Sequence, residues 1–417
     1  MSGRTDNRAR ALDTPTGLLS LIFPASVAVM VPFLSPAIVG GLVDAAGWSE
    51  KQAGLLVSVE LGAFAWSGVA GVLWLQRVSW RVVSLAACGL LVTANLASGF
   101  VTSEATLIAW RLVSGIGAGT LIALCYGALA QTRKPHRNYG FFSMNQMALA
   151  IVCLSFLPVA INGSDGDADS ITVAVLALLG VTQGLGMNAF FGTMFVLGVA
   201  ATACAALWVP NRPEQRPTAQ RKSLPTNWLF AIVMLGAIFA LMVSQQGLWT
   251  YAERMGVSAG IDRSSVAGML SLGALAGLVG ASTATAVGDR FSRPLVISVI
   301  VVLHFCALSV FLSELTALTF LVGILLHKFT WNFMIPYQLG MMAQVERGGT
   351  AAILSTFVTS MGVSAGSAIA AFAVADFGYR GVIFESMLFA AAYLVIMLGV
   401  HAKLRSNRSA RVGVTVP

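Results

Sequence analysis

Long apolar runs follow one another along almost the whole chain, with short polar stretches between them. Twelve runs reach the roughly 20 residues that a membrane-spanning helix needs. They cover 17–42, 51–75, 82–101, 106–131, 139–161, 187–209, 228–251, 264–287, 295–313, 317–342, 351–374 and 382–402. The pattern predicts an all-α polytopic membrane protein with twelve transmembrane helices. One stretch breaks the rhythm. After the acidic segment from Gly163 to Asp169, the apolar piece from Ile171 to Gly180 is too short to span. Residues 163–187 therefore read as an interfacial or re-entrant segment, with a displaced sixth helix as the alternative. The first run, Gly17 to Leu42, is too long for the apolar core of a signal peptide.

The polar residues between the runs predict orientation. On this layout 19 basic residues fall on one side: Arg4, Arg8, Arg10, Arg77, Arg81, Arg133, Lys134, Arg137, Arg212, Arg216, Arg221, Lys222, Arg290, Arg293, Arg347, Lys403, Arg405, Arg408 and Arg411. The other side holds four, Lys51, Arg254, Arg263 and Arg380. Basic loops stay in the cytoplasm, so both termini and the linker 210–227 are expected there, in a protein of the cytoplasmic membrane. The remaining two cations, Arg111 and Lys328, lie inside apolar runs.

Composition agrees. The chain is 57% hydrophobic and 10% charged, where a soluble domain carries about 25% charged residues. The 42 glycines suit close contacts between membrane helices. The net charge of +8 is accounted for by topology signals and needs no nucleic acid. Cys88, Cys125, Cys153, Cys204 and Cys306 each lie in an apolar run without metal-ligand spacing, and read as small core residues.

The basic linker divides the chain into a tail (1–16), a six-helix half (17–209), the linker (210–227), a second six-helix half (228–402) and a second tail (403–417). A shift of 214 residues lays Ala53-Gly54-Leu55-Leu56 over Ala267-Gly268-Met269-Leu270, and the turn Gln76 to Arg81 over Arg290 to Leu295. Two halves in one orientation fit a parallel repeat. At this point the chain resembles the major facilitator superfamily. That family carries a G-x-x-x-D-R-x-G-R-like turn between helices 2 and 3, often repeated between helices 8 and 9. The second copy here reads Gly288-Asp289-Arg290-Phe291-Ser292-Arg293. In the first, Gly71 and Leu73 fit, but Leu75 stands where Asp is usual. Arg111, Gly115, Gly117 and Gly119 match the family's R-x-x-x-G-x-G-x-G pattern in helix 4. The glycines of this stripe read as a packing surface rather than a nucleotide loop. The G-P-x-x-G-G marker of drug–proton antiporters and the D-G-x-D marker of aromatic-acid symporters are both missing; helix 1 has Pro32, Pro36 and Gly40-Gly41 instead, and helix 5 only Pro158.

Ionisable groups in hydrocarbon are costly and mark function. From the helix rise, Glu60 lies roughly 12–14 Å into its helix, and His327 and Lys328 about 15–16 Å into theirs, near the midplane of a ~30 Å core. Glu60 is the candidate proton-coupling residue, or else a structural partner of Arg111. Lys328 would attract an anionic substrate group, or pair with Glu60 or another acid. His327 is a candidate for substrate contact and for coupling. Lys328 with Asn332, and His327 with Trp331, share helix faces. In the family, helices 1, 4, 7 and 10 line the central cavity, which adds Gln245, Gln246, Trp249 and Tyr251 as candidate contacts. Asn145 and Gln146 on helix 5 join them. Arg111, nearer the membrane edge, reads as substrate-binding, coupling or structural. His304 reads as structural. Asp289, Arg290 and Arg293 are candidate gating residues.

The leading expectation is a secondary transporter of a small organic anion, working by alternating access, coupled to protons and functional as a monomer. The alternatives are efflux of a hydrophobic or cationic compound, with Glu60 as the acid, and a transporter-like sensor or assembly factor that moves nothing. No H-E-x-x-H pair, Walker loop or C-x-x-C set is present, so neither an enzyme nor a cofactor or metal is expected.

Overall fold

The structure is a computed structural model that describes residues 14–74, 77–101, 103–163, 185–209, 228–288, 290–345 and 350–413. The described residues form helices joined by turns, without strands. The helices are α1 (Pro15–Ala28), α2 (Met30–Asp44), α3 (Glu50–Trp74), α4 (Trp80–Ser98), α5 (Glu104–Leu129) and α6 (Pro135–Asn162). They continue as α7 (Met187–Trp208), α8 (Trp228–Ser258), α9 (Arg263–Val287), α10 (Arg293–Val310), α11 (Ala317–Val345) and α12 (Thr350–Gly413).

Eleven helical stretches are long and apolar enough to cross a membrane. The first, Pro15–Asp44, joins α1 and α2. The last, Leu354–Lys403, has 50 residues, about 75 Å of helix against a ~30 Å core. It breaks at Gly378, whose φ of 64° is left-handed and favours glycine. It therefore makes two crossings, and the total among the described residues is twelve.

Proline shapes the first crossing. The Pro32 ring conflicts with the carbonyl four residues earlier and supplies no N–H, and the helix is interrupted at Val29 (φ −89°, ψ 9°). Pro36 leaves the Pro32 carbonyl without its usual donor, and the Ser35 hydroxyl donates to it instead at 3.1 Å.

The repeat is visible in the helix boundaries. α3, α4 and α5 start at Glu50, Trp80 and Glu104; α9, α10 and α11 start at Arg263, Arg293 and Ala317, each 213 residues later. The sixth crossing is α7, at the predicted place. Of the doubtful segment 163–187, residues 164–184 lie outside the described residues, as do the whole linker 210–227 and both chain ends. Leu185 and Gly186 donate backbone hydrogen bonds to the Ala160 and Ile161 carbonyls, so that segment begins and ends beside the top of α6.

The Gly115–Gly119 stripe packs helices on two sides. A Cβ at Gly115 or Gly119 would strike the α3 backbone at Glu60 or Phe64, and one at Gly117 would lie 2.8 Å from the Ala87 carbonyl of α4. Cys88, Cys125 and Cys153 are buried, Cys204 is partly so, and Cys306 is exposed. Apolar side chains such as Val152, Val196 and Val395 cover the outer faces, as a lipid solvent requires.

Candidate functional site

Lys328 sits where the two halves meet. Its side chain is only 2% exposed. Its Nζ lies 3.9 Å from the Trp249 ring centroid, 4.2 Å from Trp331 and 5.5 Å from Phe33. Phe33 belongs to α2 in the first half; Trp249 on α8 and Trp331 on α11 belong to the second. Trp249 is fixed across the seam by its indole N–H, which donates to the Phe33 carbonyl at 3.1 Å. Gln246 is fixed similarly, its amide donating to the Ser35 hydroxyl at 3.0 Å and to Thr250 at 3.2 Å. Among the described residues no carboxylate pairs with Lys328. Its ammonium has aromatic faces but no counter-ion among these residues.

Polar groups without partners cluster beside it. His327 and Gln245 are fully buried, and neither ring nitrogen of His327 nor either amide atom of Gln245 has a hydrogen-bond partner. The His327 ring stands 5.9 Å from Trp331 and 5.5 Å from His304. His304 is engaged by the Ser244 and Thr330 hydroxyls, at 3.1 and 3.3 Å. Asn332 turns back on its own helix, donating to the Lys328 carbonyl at 3.1 Å. It packs on Gly277 of α9. On α6, Gln146 is half-buried and the Asn145 amide nitrogen is buried without a partner.

Glu60 and Arg111 form a separate centre inside the first half. Both are buried, and Arg111 Nη1 lies 3.4 Å from Glu60 Oε1. The guanidinium also donates to Asn95 Oδ1 at 3.2 Å, Ser98 Oγ at 2.7 Å and the Ala94 carbonyl at 3.2 Å. It stands 5.0 Å from the Phe191 ring. One arginine thus ties α5 to α3, α4 and α7. Lys328 does not reach Glu60.

A third group of charges was not singled out from the sequence. At the end of the bundle that carries the turns after α2 and α8, Arg254 donates to Asp44 at 2.7 Å and lies 3.6 Å from Glu50. Arg263 lies 2.9 Å from Asp44 and 3.4 Å from the fully buried Glu253. The Tyr379 hydroxyl donates to Glu50, and Tyr251 donates to the Glu50 carbonyl at 2.9 Å. These contacts join α2 and α3 to α8, α9 and α12. Glu253 escaped notice because the seventh apolar run ends at 251, whereas α8 continues to Ser258. The absence of a Cβ at Gly40 makes room for its carboxylate. Nearby, Asp262 caps α9 by accepting from the Ser265 N–H at 3.0 Å. Burial pushes its carboxyl up, but hydrogen bonds from Ser265 and Ser264 outweigh this and hold it below the ordinary range.

At the opposite end, Gly288 closes α9 with a left-handed φ of 48° and accepts from the Tyr337 hydroxyl of α11 at 2.7 Å. Arg290 is exposed and Arg293 half-buried; Asp289 and Leu75 lie outside the described residues. Sequence reasoning also passed over Glu385 on α12. Its carboxylate stands against Gly247, with neither oxygen hydrogen-bonded.

A sequence profile of the Major Facilitator Superfamily matches residues 17–352. The chain belongs to that superfamily. No curated protein sequence matches it. Solved structures share its fold at low identity. A peptide transporter in complex with sulfate superposes with a TM-score of 0.68 at 14% identity, covering 94% of this chain and 95% of its own. The nucleoside transporter NupG gives 0.67 at 11%, covering 92% and 99%. A D-xylose–proton symporter gives 0.63 at 14%, covering 90% and 97%. The superfamily member described here is thus a multi-pass membrane protein with a transporter fold, built as six plus six helices.

Proposed function

We propose that this chain is a secondary active transporter of a small organic anion, driven by protons and working by alternating access between the halves 17–209 and 228–402. Lys328 carries the reading. A buried ammonium with no carboxylate partner, at the seam between halves, favours an anionic ligand group. A charge-assisted hydrogen bond to a carboxylate would satisfy it, and Trp249, Trp331 and Phe33 would hold the apolar part of the molecule. His327, Gln245 and Gln246 offer the polar atoms beside it, with Asn332, Gln146 and Arg111 further out. Export of a cation finds less support, because the carboxylate of Glu60 faces Arg111 within the first half and that of Glu385 stands against Gly247 within the second half, whereas Lys328 lies at the seam.

Glu60 is the proposed coupling acid in the first half. A proton on it would dissolve its pair with Arg111 and loosen the tie between α3 and α5. The bias of basic residues places the termini and linker in the cytoplasm. The cluster of Asp44, Glu253, Arg254 and Arg263 then closes the outer side, and the turn with Asp289, Arg290 and Arg293 acts as a gate on the inner side. The protein works as a monomer in the cytoplasmic membrane.

The test is transport into vesicles under an imposed pH gradient, with acetate, lactate, benzoate, succinate and a panel of hydrophobic cations. Accumulation of at least one acid is expected. Lys328→Gln should weaken binding of acids tenfold to a hundredfold, from the loss of a contact of about 1.5–3 kcal/mol. Neutral analogues should bind as before. Transport of cations alone, or acid binding unchanged in Lys328→Gln, would reject the anion reading.

A further inference from the structure

The charges in the spanning helices are unequally provided for. Arg111 has Glu60, two polar side chains, a carbonyl and an aromatic face. Glu253 has Arg263. Among the described residues Lys328 has only rings. The groups packed around it are apolar or neutral. α2 faces it with Phe33 and α8 with Trp249, and α9 approaches it with Gly273. The nearby titratable side chains are His327 on its own helix and His304 on α10, whose rings adjoin. Glu253 lies one turn beyond Trp249 but is engaged by Arg263.

Isolating a charge in a low-dielectric interior is costly, and the three aromatic faces offset only part of that cost. A carboxylate in contact with the ammonium offsets much more, because the pair is neutral as a whole. The amine's proton and the substrate's carboxylate therefore stabilise each other in this site, and binding of one favours binding of the other.

From this geometry we infer that Lys328 is itself a proton-binding group of the transport cycle, taking up one proton with each substrate carboxylate and releasing both on the far side. The inference rests on the anion reading above and adds to it. The balance is simple. A neutral amine, a proton from the bulk and a carboxylate enter as separate species and form an ammonium–carboxylate pair. On the other side the pair separates into the same three species. The substrate site then carries a neutral load across the membrane. Arginine cannot play this part, since its guanidinium never releases its proton in proteins.

The experiment measures proton uptake when benzoate binds to the purified protein in weakly buffered detergent solution. A pH-sensitive dye reports the uptake between about pH 6 and 9. Benzoate presents a carboxylate on a ring that suits the aromatic wall. In the wild type, uptake should approach about one proton per benzoate bound toward the upper end of that range. Lys328→Arg should bind benzoate with little or no uptake, and its affinity should no longer fall as pH rises. Lys328→Gln should bind neutral benzamide without uptake and benzoate weakly; it serves if the arginine variant folds poorly. Uptake that persists in Lys328→Arg or in benzoate-bound Lys328→Gln would overturn the inference and leave the anion reading standing. So would uptake lost in Glu60→Gln but kept in Lys328→Arg. Failure of benzoate and the other acids to bind the wild type at all would overturn both.

Discussion

At the scale of single residues, two buried cations have opposite fates. Among the described residues Arg111 has a carboxylate and hydrogen-bond acceptors and Lys328 has neither, yet each appears in the sequence as a lone cation in an apolar run. Depth along a helix was legible, because the rise per residue is fixed. Direction around the helix was not, because partners come from other helices. That is why Arg111, a candidate for substrate, coupling or structure, is found tied to three helices within one half. It is also why Phe33 passed unnoticed as part of the Lys328 site. Arg111 leads to a stability prediction. Arg111→Met would leave Glu60 buried beside no cation, a loss of about 3–5 kcal/mol by the usual cost of breaking a buried pair. Adding Glu60→Gln removes the stranded charge, so the double variant should melt higher than Arg111→Met alone. Thermal unfolding in detergent reads both. A double variant that melts below the single one would show that the charges are not energetically paired.

At the scale of elements, the twelve crossings were legible because lipid leaves few alternatives to long apolar helices. Their ends were less so. The seventh run stops at 251, where the residues turn polar, but α8 runs on to Ser258 because its last turns are sheltered by the other half rather than by lipid. Hydropathy cannot distinguish these two environments. The pattern Gly115-x-Gly117-x-Gly119 reads as a packing surface, and each glycine lies against another helix. Gly119 provides the sharpest test. A Cβ there would strike the Phe64 carbonyl, which cannot move without moving α3. Gly119→Val should therefore separate α3 from α5 and strongly reduce the yield of monodisperse protein. Gly192→Ala, on α7 where nothing lies within 4 Å, should not. Size-exclusion profiles compare them directly. Equal profiles would mean that the α3–α5 contact has slack that the close approach does not suggest.

At the scale of the whole molecule, the seam between the halves has a graded character. Deep in it, Ser58 and Ser364 exchange hydrogen bonds, each hydroxyl donating to the other's carbonyl at 2.8 Å. α9 also reaches α6 across the seam, through Ser271 and the Ile151 carbonyl at 3.2 Å. Uncharged contacts such as these can be exchanged for others at small cost as two halves rock. The charged contacts described between the halves gather at one end, at Asp44, Glu50, Glu253, Arg254 and Arg263. The partly exposed pairs contribute about 1 kcal/mol or less each, the Arg263 pair with buried Glu253 is harder to break, and several that break together can decide between two states that differ by a few kcal/mol. Removing both arginines, by Arg254→Gln with Arg263→Gln, should therefore raise the population of the state open at this end. The reporter is Ser35→Cys in a background without the five native cysteines. Ser35 is fully buried against Gln246 at the seam, so its thiol should resist a membrane-impermeant reagent while the cluster is intact. With the arginines replaced, labelling from outside whole cells should be faster by about tenfold for each 1.4 kcal/mol of shift. The side of entry matters as much as the rate. Faster labelling only from the cytoplasmic side of inverted vesicles would place the cluster on the inner face and reverse the orientation proposed from the basic loops. An unchanged rate from both sides would show that the uncharged seam, and not these ion pairs, holds the halves closed.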